Sequence, residues 1–535
     1  METWKNFEIC KSSYIKEEQN LLDFQQYSIY QALNKKAFLL GLSTGSGKTF
    51  TSLSSFFYYK EKYDNTKLII ITNKSALFQF NSEIDKFFNY AGKRIVLHSD
   101  LKGNYKKARE NAYSEFSKDA DVLIMNYPVL KLDIDKILDL VADLKKTNKI
   151  FVIYDEATAF KNTSTAAYKS VLKLTSKVDK CLALTATLSK GKLEEAYGIF
   201  RGIGIPLTKT KALFLDAFCI TKNVYRTNIK QIVGYKNIDQ FKKVIEPHCI
   251  LLNKSDINSS LPSFITKVTY LDLDDTQKEN LQLIEDGYFL EQSQAEKAPE
   301  DYKEISELTI KLMAFGYNRR CLLDPSILYK DDKYPNYLSP KTNEIINLLD
   351  EDYNNEKIVI YSHSKRYIDL LEKIIPKKCT NHNYKKILKI TGDISTVDRE
   401  RYKDLFTNDP NHNLIIINTA GIESINLQIS NTLIVCDIPS NSGNLIQLLG
   451  RISRIGSNHT NLFVNYLLIK DHQDVDEYFI INKQLLLLKN ILGESEKNII
   501  DFEILKQDYA FNHMSSEELS TSSIDQILLN KNRKK

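Results

Sequence analysis

The sequence predicts an α/β protein: two tandem parallel-sheet domains with a helical insertion between them. Three observations carry this expectation. In both halves of the chain, short apolar runs alternate with longer stretches of helical spacing. The runs are continuous rather than alternating, as in strands buried on both faces of a parallel sheet. A glycine-rich turn, Gly45-Ser46-Gly47-Lys48-Thr49, follows the first run and opens the next helical stretch. That is the strand–loop–helix order of a phosphate-binding α/β unit.

In chain order, the predicted strands of the first half are 37–42, 67–72, 94–99, 121–127, 149–155 and 181–187, each rich in Ile, Val and Leu. Helical spacing fits between them, for example at 48–60 and 165–173. The second half repeats the pattern, with strands at 357–362, 387–391, 413–419, 432–437 and 462–468 and helices such as 365–375 and 396–406. The division expected is 1–204, a first α/β domain carrying the glycine-rich turn; 205–338, a helical bridging region, most charged over 274–311; 339–495, a second α/β domain; and 496–535, a polar tail.

A chain of 535 residues exceeds one ordinary domain, and 42% hydrophobic with 26% charged residues suits a globular protein. No apolar run approaches the ~18 residues of a membrane span, and the start lacks an apolar signal core. Seven scattered cysteines without a C-x-x-C argue against a zinc site or disulfide framework. Buried thiols in a reducing, cytoplasmic compartment are expected instead. A net charge of +5 is weak for this length, so any nucleic-acid binding needs a local basic surface.

The turn after the first strand carries the chemistry. Its glycines let backbone N–H groups face an anion, and the helix start adds its dipole. Thr44, Gly45, Ser46 and Gly47 form the cradle, Lys48 neutralises the β and γ phosphates, and the Thr49 hydroxyl can ligate Mg²⁺. The first glycine of G-x-x-x-x-G-K-T falls on Leu42. The run 149–154 ends in Asp155-Glu156, where an Asp can hold Mg²⁺ and a Glu can polarise the attacking water. Thr185-Ala186-Thr187 closes the next strand. Near the other end, Gln447-Leu448-Leu449-Gly450-Arg451-Ile452-Ser453-Arg454 places two arginines three residues apart after a glycine.

In this order the motifs resemble the superfamily-two helicases and translocases, and among them the Swi/Snf-like group. Asp155-Glu156-Ala157-Thr158-Ala159-Phe160-Lys161-Asn162 resembles D-E-A-H-x-x-K-N, and Leu184-Thr185-Ala186-Thr187 with Leu193-Glu194-Glu195 resembles L-T-G-T-P…L-E-E-L. Ala76–Ile84 in numbers 76–84 resembles L-L-x-N-W-x-x-E-I, Asn426-Leu427 the end of G-x-N-L, and Val475-Asp476-Glu477 the V-D-E brace. The resemblance implies two RecA-like domains and an ATP- and Mg²⁺-dependent motor on DNA, double-stranded or branched. In it, Gln25 reads the adenine edge. Lys48, Thr49, Asp155 and Glu156 bind and hydrolyse ATP, with Thr49 and Asp155 on the metal. Arg451 and Arg454 reach the γ-phosphate across a cleft, with Gln447 and Gly421 near the nucleotide. Asn73-Lys74-Ser75, Asn126-Tyr127, Ser362-His363 and Asn418-Thr419 stand where the superfamily contacts the nucleic-acid backbone, positioning a strand without reading its sequence.

This chain departs from the group at three places. The acidic D-E-M before the loop is Leu42-Ser43-Thr44; T-R-A-G-G-x-G is Asn418-Thr419-Ala420-Gly421-Ile422-Glu423-Ser424; and W-N-P is Pro439-Ser440-Asn441. A compact chain with no appended reader domain reads as a phage or viral motor, monomeric, in the host cytoplasm, working beside replication, recombination or transcription proteins. Two alternatives stay open: a viral transcription-associated nucleic-acid-dependent ATPase, and a degenerate motor serving as a DNA-binding scaffold.

Overall fold

The computed structural model describes residues 4–43, 45–97, 105–186, 188, 192–223, 230–252, 262–289, 307–331, 333–353, 355–422, 426–453, 457 and 459–492. Residues Met1–Ser259 make up most of one compact unit and Ser260–Leu487 most of a second.

The first unit is built on β1 (Ala37–Leu42), β2 (Thr66–Thr72), β3 (Arg94–Val96), β4 (Val122–Asn126), β5 (Lys149–Tyr154) and β6 (Lys180–Thr185). A hairpin follows, β7 (Cys219–Asn223) with β8 (Lys230–Tyr235), and then β9 (Cys249–Leu252). The main sheet runs in the order β3-β4-β2-β5-β6-β1-β9, and its described pairings are all parallel. Every residue of β2 is buried. Sandwiched between β4 and β5, it is covered on both faces and so its centre, residues 68–71, is an unbroken apolar run.

The second unit is built on β10 (Ser263–Leu271), β11 (Ile358–Tyr361), β12 (Ile387–Ile390), β13 (Leu414–Ile417), β14 (Thr432–Val435) and β15 (Asn461–Ile469). Its sheet runs β10-β15-β14-β11-β13-β12, again parallel in each described pairing. Phe264, Val359, Tyr361, Ile415 and Leu433 fill one face of it; Ile358, Ile360, Ile416 and Tyr367 fill the other.

Each predicted strand is present; most stop one or two residues early at the carboxyl end, the third is only Arg94–Val96, and the last is longer at both ends, Asn461–Ile469. The stretch 205–338, expected as one helical bridging region, is instead divided. Its Cys249–Leu252 pairs with β1 as an edge strand of the first sheet, and its Ser263–Leu271 pairs with β15 as an edge of the second.

Candidate functional site

In a parallel sheet the carboxyl ends of the strands emerge along one edge, where loops can converge on a ligand. In the first unit that edge collects the ends of β1, β6, β5 and β2, in that spatial order. β1 runs into the phosphate loop. Gly45 and Gly47 both take φ near +81°, a left-handed conformation that L side chains adopt only with strain. Gly47 then caps the helix Lys48–Lys62. A Cβ on Gly47 would come within 2.6 Å of the Gln25 amide nitrogen, so the loop needs glycine there for space as well as for φ.

Gln25 is buried, and its Nε2 donates to the Ser46 carbonyl at 3.1 Å while its Oε1 accepts from Leu22 N–H at 3.0 Å. The Lys48 ammonium rests on its own loop, donating to the carbonyls of Leu42 (2.8 Å) and Ser43 (2.9 Å). Ser46 Oγ donates to the Ser43 carbonyl at 2.8 Å. The Ser43 hydroxyl is buried with no hydrogen-bond partner among the described residues. A buried polar atom left unsatisfied is costly; beside a cationic loop, an anion's oxygen would satisfy it. Thr49, half-buried, opens the helix next to Lys48. Thr44 lies outside the described residues.

Asp155 follows β5. Its Oδ2 accepts from the Thr72 hydroxyl at the end of β2 (2.7 Å), and its backbone carbonyl accepts from the Tyr127 hydroxyl (2.6 Å). Burial pushes the Asp155 carboxyl up to about 6; the Thr72 hydrogen bond draws it down, neighbouring Glu156 pushes it up, and Lys48 draws it down. Glu156 sits at φ 51°, ψ 63° in the left-handed region, a conformation costing a non-glycine residue roughly 1–2 kcal/mol. Thr158 Oγ1 donates to its Oε1 at 2.5 Å. Strain held at a carboxylate on a ligand edge marks a position fixed by the surrounding structure. The turn is braced from behind: Lys161 pairs with Glu195 at 2.6 Å, and Gly198, on the same helix Leu193–Gly202, packs directly against the Lys161 carbonyl. Two motif stretches separated in sequence are thus one structural feature.

In the second unit, β11, β13 and β14 are neighbours and end side by side. The exposed His363 donates its backbone N–H to Asp437 Oδ1 (2.8 Å), and its Nδ1 lies 3.2 Å from Thr419 Oγ1. Tyr361 OH reaches the same hydroxyl at 3.2 Å. Beneath this edge lies a buried charge lattice. Lys341 pairs with Asp474 at 2.6 Å and Arg319 with Glu477 at 3.0 Å. Arg319 also donates to the Ile438 carbonyl, next to Asp437. Burial raises the Glu477 carboxyl to about 7, with Arg319 drawing it down. Gln447 is buried on the helix Ser442–Ile452, and Arg451 stands in its last turn. The Arg451 carbonyl accepts from Leu427 N–H (3.0 Å), linking the Asn426-Leu427 stretch to the arginine helix. Gly421 packs against β12 and β13: a Cβ there would come within 3.1 Å of both the Ile390 carbonyl and Ile417 Cβ. Arg454 lies outside the described residues.

The predicted nucleotide residues Gln25, Gly45, Ser46, Gly47, Lys48, Thr49, Asp155 and Glu156 share the first sheet's ligand edge. The predicted strand contacts divide. Asn73 is half-buried, and Lys74 and His363 are exposed; Asn418 and Thr419 are half-buried at the second edge. The Ser75 side chain lies outside the described atoms. Asn126 and Tyr127 are buried and committed elsewhere: Asn126 Oδ1 caps the helix Tyr127–Leu144 by accepting from Val129 N–H (3.0 Å), and Tyr127 holds the Asp155 backbone. Ser362 is fully buried, its Oγ accepting from Ser364 N–H. The side chains of these three are thus taken up within the fold itself. Thr72 was missed. A hydroxyl at the end of the strand paired with β5 was the available signal.

These features define a phosphate-loop protein of two parallel-sheet units. Comparison with known proteins makes that specific. The SNF2-related domain matches residues 16–321, and the helicase conserved C-terminal domain matches 340–456. The chain belongs to the SNF2-related family. It is 22% identical over 435 residues to the DNA repair and recombination protein RAD26 of Saccharomyces cerevisiae, covering 78% of this chain and 38% of that protein. It is 22% identical to the ATP-dependent helicase fft1 of Schizosaccharomyces pombe, covering 86% and 51%. It is 23% identical to nucleoside triphosphatase I of Choristoneura biennis entomopoxvirus, covering 91% and 78%. The chain thus spans about half or less of the two yeast relatives. A solved SWI2/SNF2 ATPase core of Sulfolobus solfataricus in complex with dsDNA overlaps 96% of this chain at 20% identity with a TM-score of 0.39, too loose to bear on function. No helix among the described residues is long and apolar enough to cross a membrane.

Proposed function

We infer that this chain is a nucleic-acid-dependent ATPase that spends ATP hydrolysis on moving along DNA, remodelling branched DNA or displacing bound protein. One observation carries the reading: Lys48 and Thr49 after β1 share a sheet edge with Asp155 and Glu156 after β5, close enough for Lys48 to lower the Asp155 pKa. Phosphates entering the loop would replace the carbonyls of Leu42 and Ser43 as acceptors for Lys48. The left-handed glycines would turn backbone N–H groups to the same phosphates. Glu156 is the base that orients the attacking water, held by Thr158. Arg451 is assigned a part in turnover.

Mg²⁺ fits the donor set. A carboxylate at Asp155 and a hydroxyl at Thr49 are hard oxygen ligands, and a charge that burial resists at Asp155 is one a cation would stabilise. No cluster of three acidic, His or Cys side chains among the described residues forms a protein-only cage, which suits an ion held mainly by nucleotide phosphates. When bound, the ion neutralises charge on the transferring phosphoryl group.

The names of the yeast relatives support a DNA-directed ATPase. The more complete coverage of the poxviral nucleoside triphosphatase supports a second reading, a viral nucleic-acid-dependent ATPase, to which the transcription-associated role expected above would belong. The deciding experiment measures ATP turnover of the full chain with single-stranded, duplex and forked DNA and with RNA at one stated salt. Stimulation by duplex or forked DNA supports the translocase. Stimulation by single strands alone, with co-purification of RNA polymerase, supports the transcription reading. Turnover at background with every nucleic acid would leave the scaffold alternative.

A further inference from the structure

We propose that a cavity on the second unit, lined by neither His363 nor Thr419, is a second nucleic-acid site that takes a single strand by stacking a base and gripping its phosphates. The cavity holds about 600 Å³, within the range of ligand clefts. One wall comes from residues 326–331 and 334–338, among them Tyr329, Tyr334 and Tyr337; the other is the helix Lys365–Lys378. On that helix Arg366, Lys373 and Lys377 all line the cavity at spacings of seven and four, one face of an α-helix.

The chemistry is that of a polyanion carrying flat rings. Five basic side chains line the cavity against two acidic ones, and one of those acids, Asp369, is already paired with Lys389 at 3.0 Å. Lys373 and Lys377 are exposed. The tyrosine hydroxyls are engaged on the neighbouring helix Asp275–Glu285 and its cap. Tyr329 OH donates to Asn280 Oδ1 (2.6 Å), Tyr334 OH accepts from Asn280 Nδ2 (2.9 Å), and Tyr337 OH donates to Asp274 Oδ2 (2.6 Å). The rings themselves form a fixed cluster: Tyr334 packs between Tyr329 (5.7 Å) and Tyr337 (5.9 Å), and Lys333 Nζ lies over the Tyr329 ring at 4.1 Å, so only the part of each ring that lines the cavity is left for a ligand. Rings held in place beside a basic helix form a stacking platform with an electrostatic rail. An acidic peptide would use the lysines but not the aromatic part of the lining.

The proposal rests on the functional reading above only in requiring that the chain meets nucleic acid. Its test uses the full chain with a fluorescent oligothymidylate, comparing wild type with Lys373→Ala/Lys377→Ala, Tyr334→Ala and Tyr334→Phe across a salt series. The double lysine variant should bind more weakly and flatten the log affinity–log salt slope by about 1.4, at about 0.7 per lost phosphate contact on a single strand. Tyr334→Ala should weaken binding about tenfold, whereas Tyr334→Phe, which keeps the ring, should stay near wild type. Hydrolysis without nucleic acid should be unchanged in all three. If wild type binds the strand and both alanine variants match it in affinity and slope, the cavity is not a strand site. A loss confined to the mononucleotide dTMP, with strand affinity intact, would also overturn the proposal. If wild type neither binds the strand nor responds to DNA in turnover, the functional reading itself fails, a separate outcome.

Discussion

Asp155 shows how a single residue's surroundings set its work. Its carboxyl titrates near 6 rather than at the ordinary 3.8 because burial opposes its charge more than Thr72 and Lys48 favour it. The folded state therefore binds this proton more tightly than the unfolded chain. The stabilisation so gained is fully present below the unfolded value and is lost as pH rises through about 6. Asp155→Asn, which can still accept from Thr72, should escape that loss. Thermal melts should show little difference from wild type at pH 4 and a variant more stable by about 1–3 kcal/mol at pH 8. Such a variant should also lose turnover. For Lys48→Ala and Glu156→Gln, ATP hydrolysis should fall by about 10²-fold or more with the melting curve kept; a Glu156→Gln enzyme of normal rate would remove it as the base. These residues were legible in the sequence because phosphate and metal chemistry demand a G-K-T and an acidic pair at strand ends. Tyr127 was less legible, for a physical reason. Its position after β4 matches a surface contact in one dimension, but only the fold shows its hydroxyl turned to the Asp155 backbone.

At the scale of elements, the parallel strands were readable because burial on both faces forces unbroken apolar sequence. The edges were not. β10 reads Ser-Phe-Ile-Thr-Lys-Val-Thr-Tyr-Leu, mixed because it is exposed along most of one side, and β9 is only four residues. Both fell inside the stretch expected to be helical. Packing between elements was likewise hidden from the sequence. Gly198 was unremarked there, yet a Cβ on it would stand 1.8 Å from the Lys161 carbonyl. Backbone cannot yield as a flexible side chain can, so Gly198→Ala should cost about 1–3 kcal/mol by overpacking. Because the displaced segment carries Glu156, calorimetry and turnover should fall together; a variant of wild-type stability would mean the helix Leu193–Gly202 shifts freely. Asn126→Ala removes the cap of the helix Tyr127–Leu144. It should lower stability by about 1 kcal/mol while leaving strand affinity unchanged, the reverse of what a backbone contact would give.

For the molecule as a whole, the open matter is what the second unit adds to the chemistry. On the first unit's ligand edge, Asp155 is acted on by one carboxylate, Glu156, and one cation, Lys48. That balance suits binding a metal-complexed nucleotide, but phosphoryl transfer spreads charge over the equatorial oxygens and gains from a further cation. Arg451 is the predicted source. Its helix is tied by the Leu427 N–H to the Asn426-Leu427 stretch, which resembles the end of G-x-N-L, so its position depends on that stretch. If it serves the reaction rather than the fold, Arg451→Ala should leave nucleotide affinity within severalfold and lower the DNA-stimulated rate by about 10³-fold. Nucleotide titration by fluorescence and steady-state hydrolysis on the same preparation separate the two. An equal loss of affinity and rate would make Arg451 a binding residue. An unchanged rate would mean that the first unit's edge carries the chemistry without it.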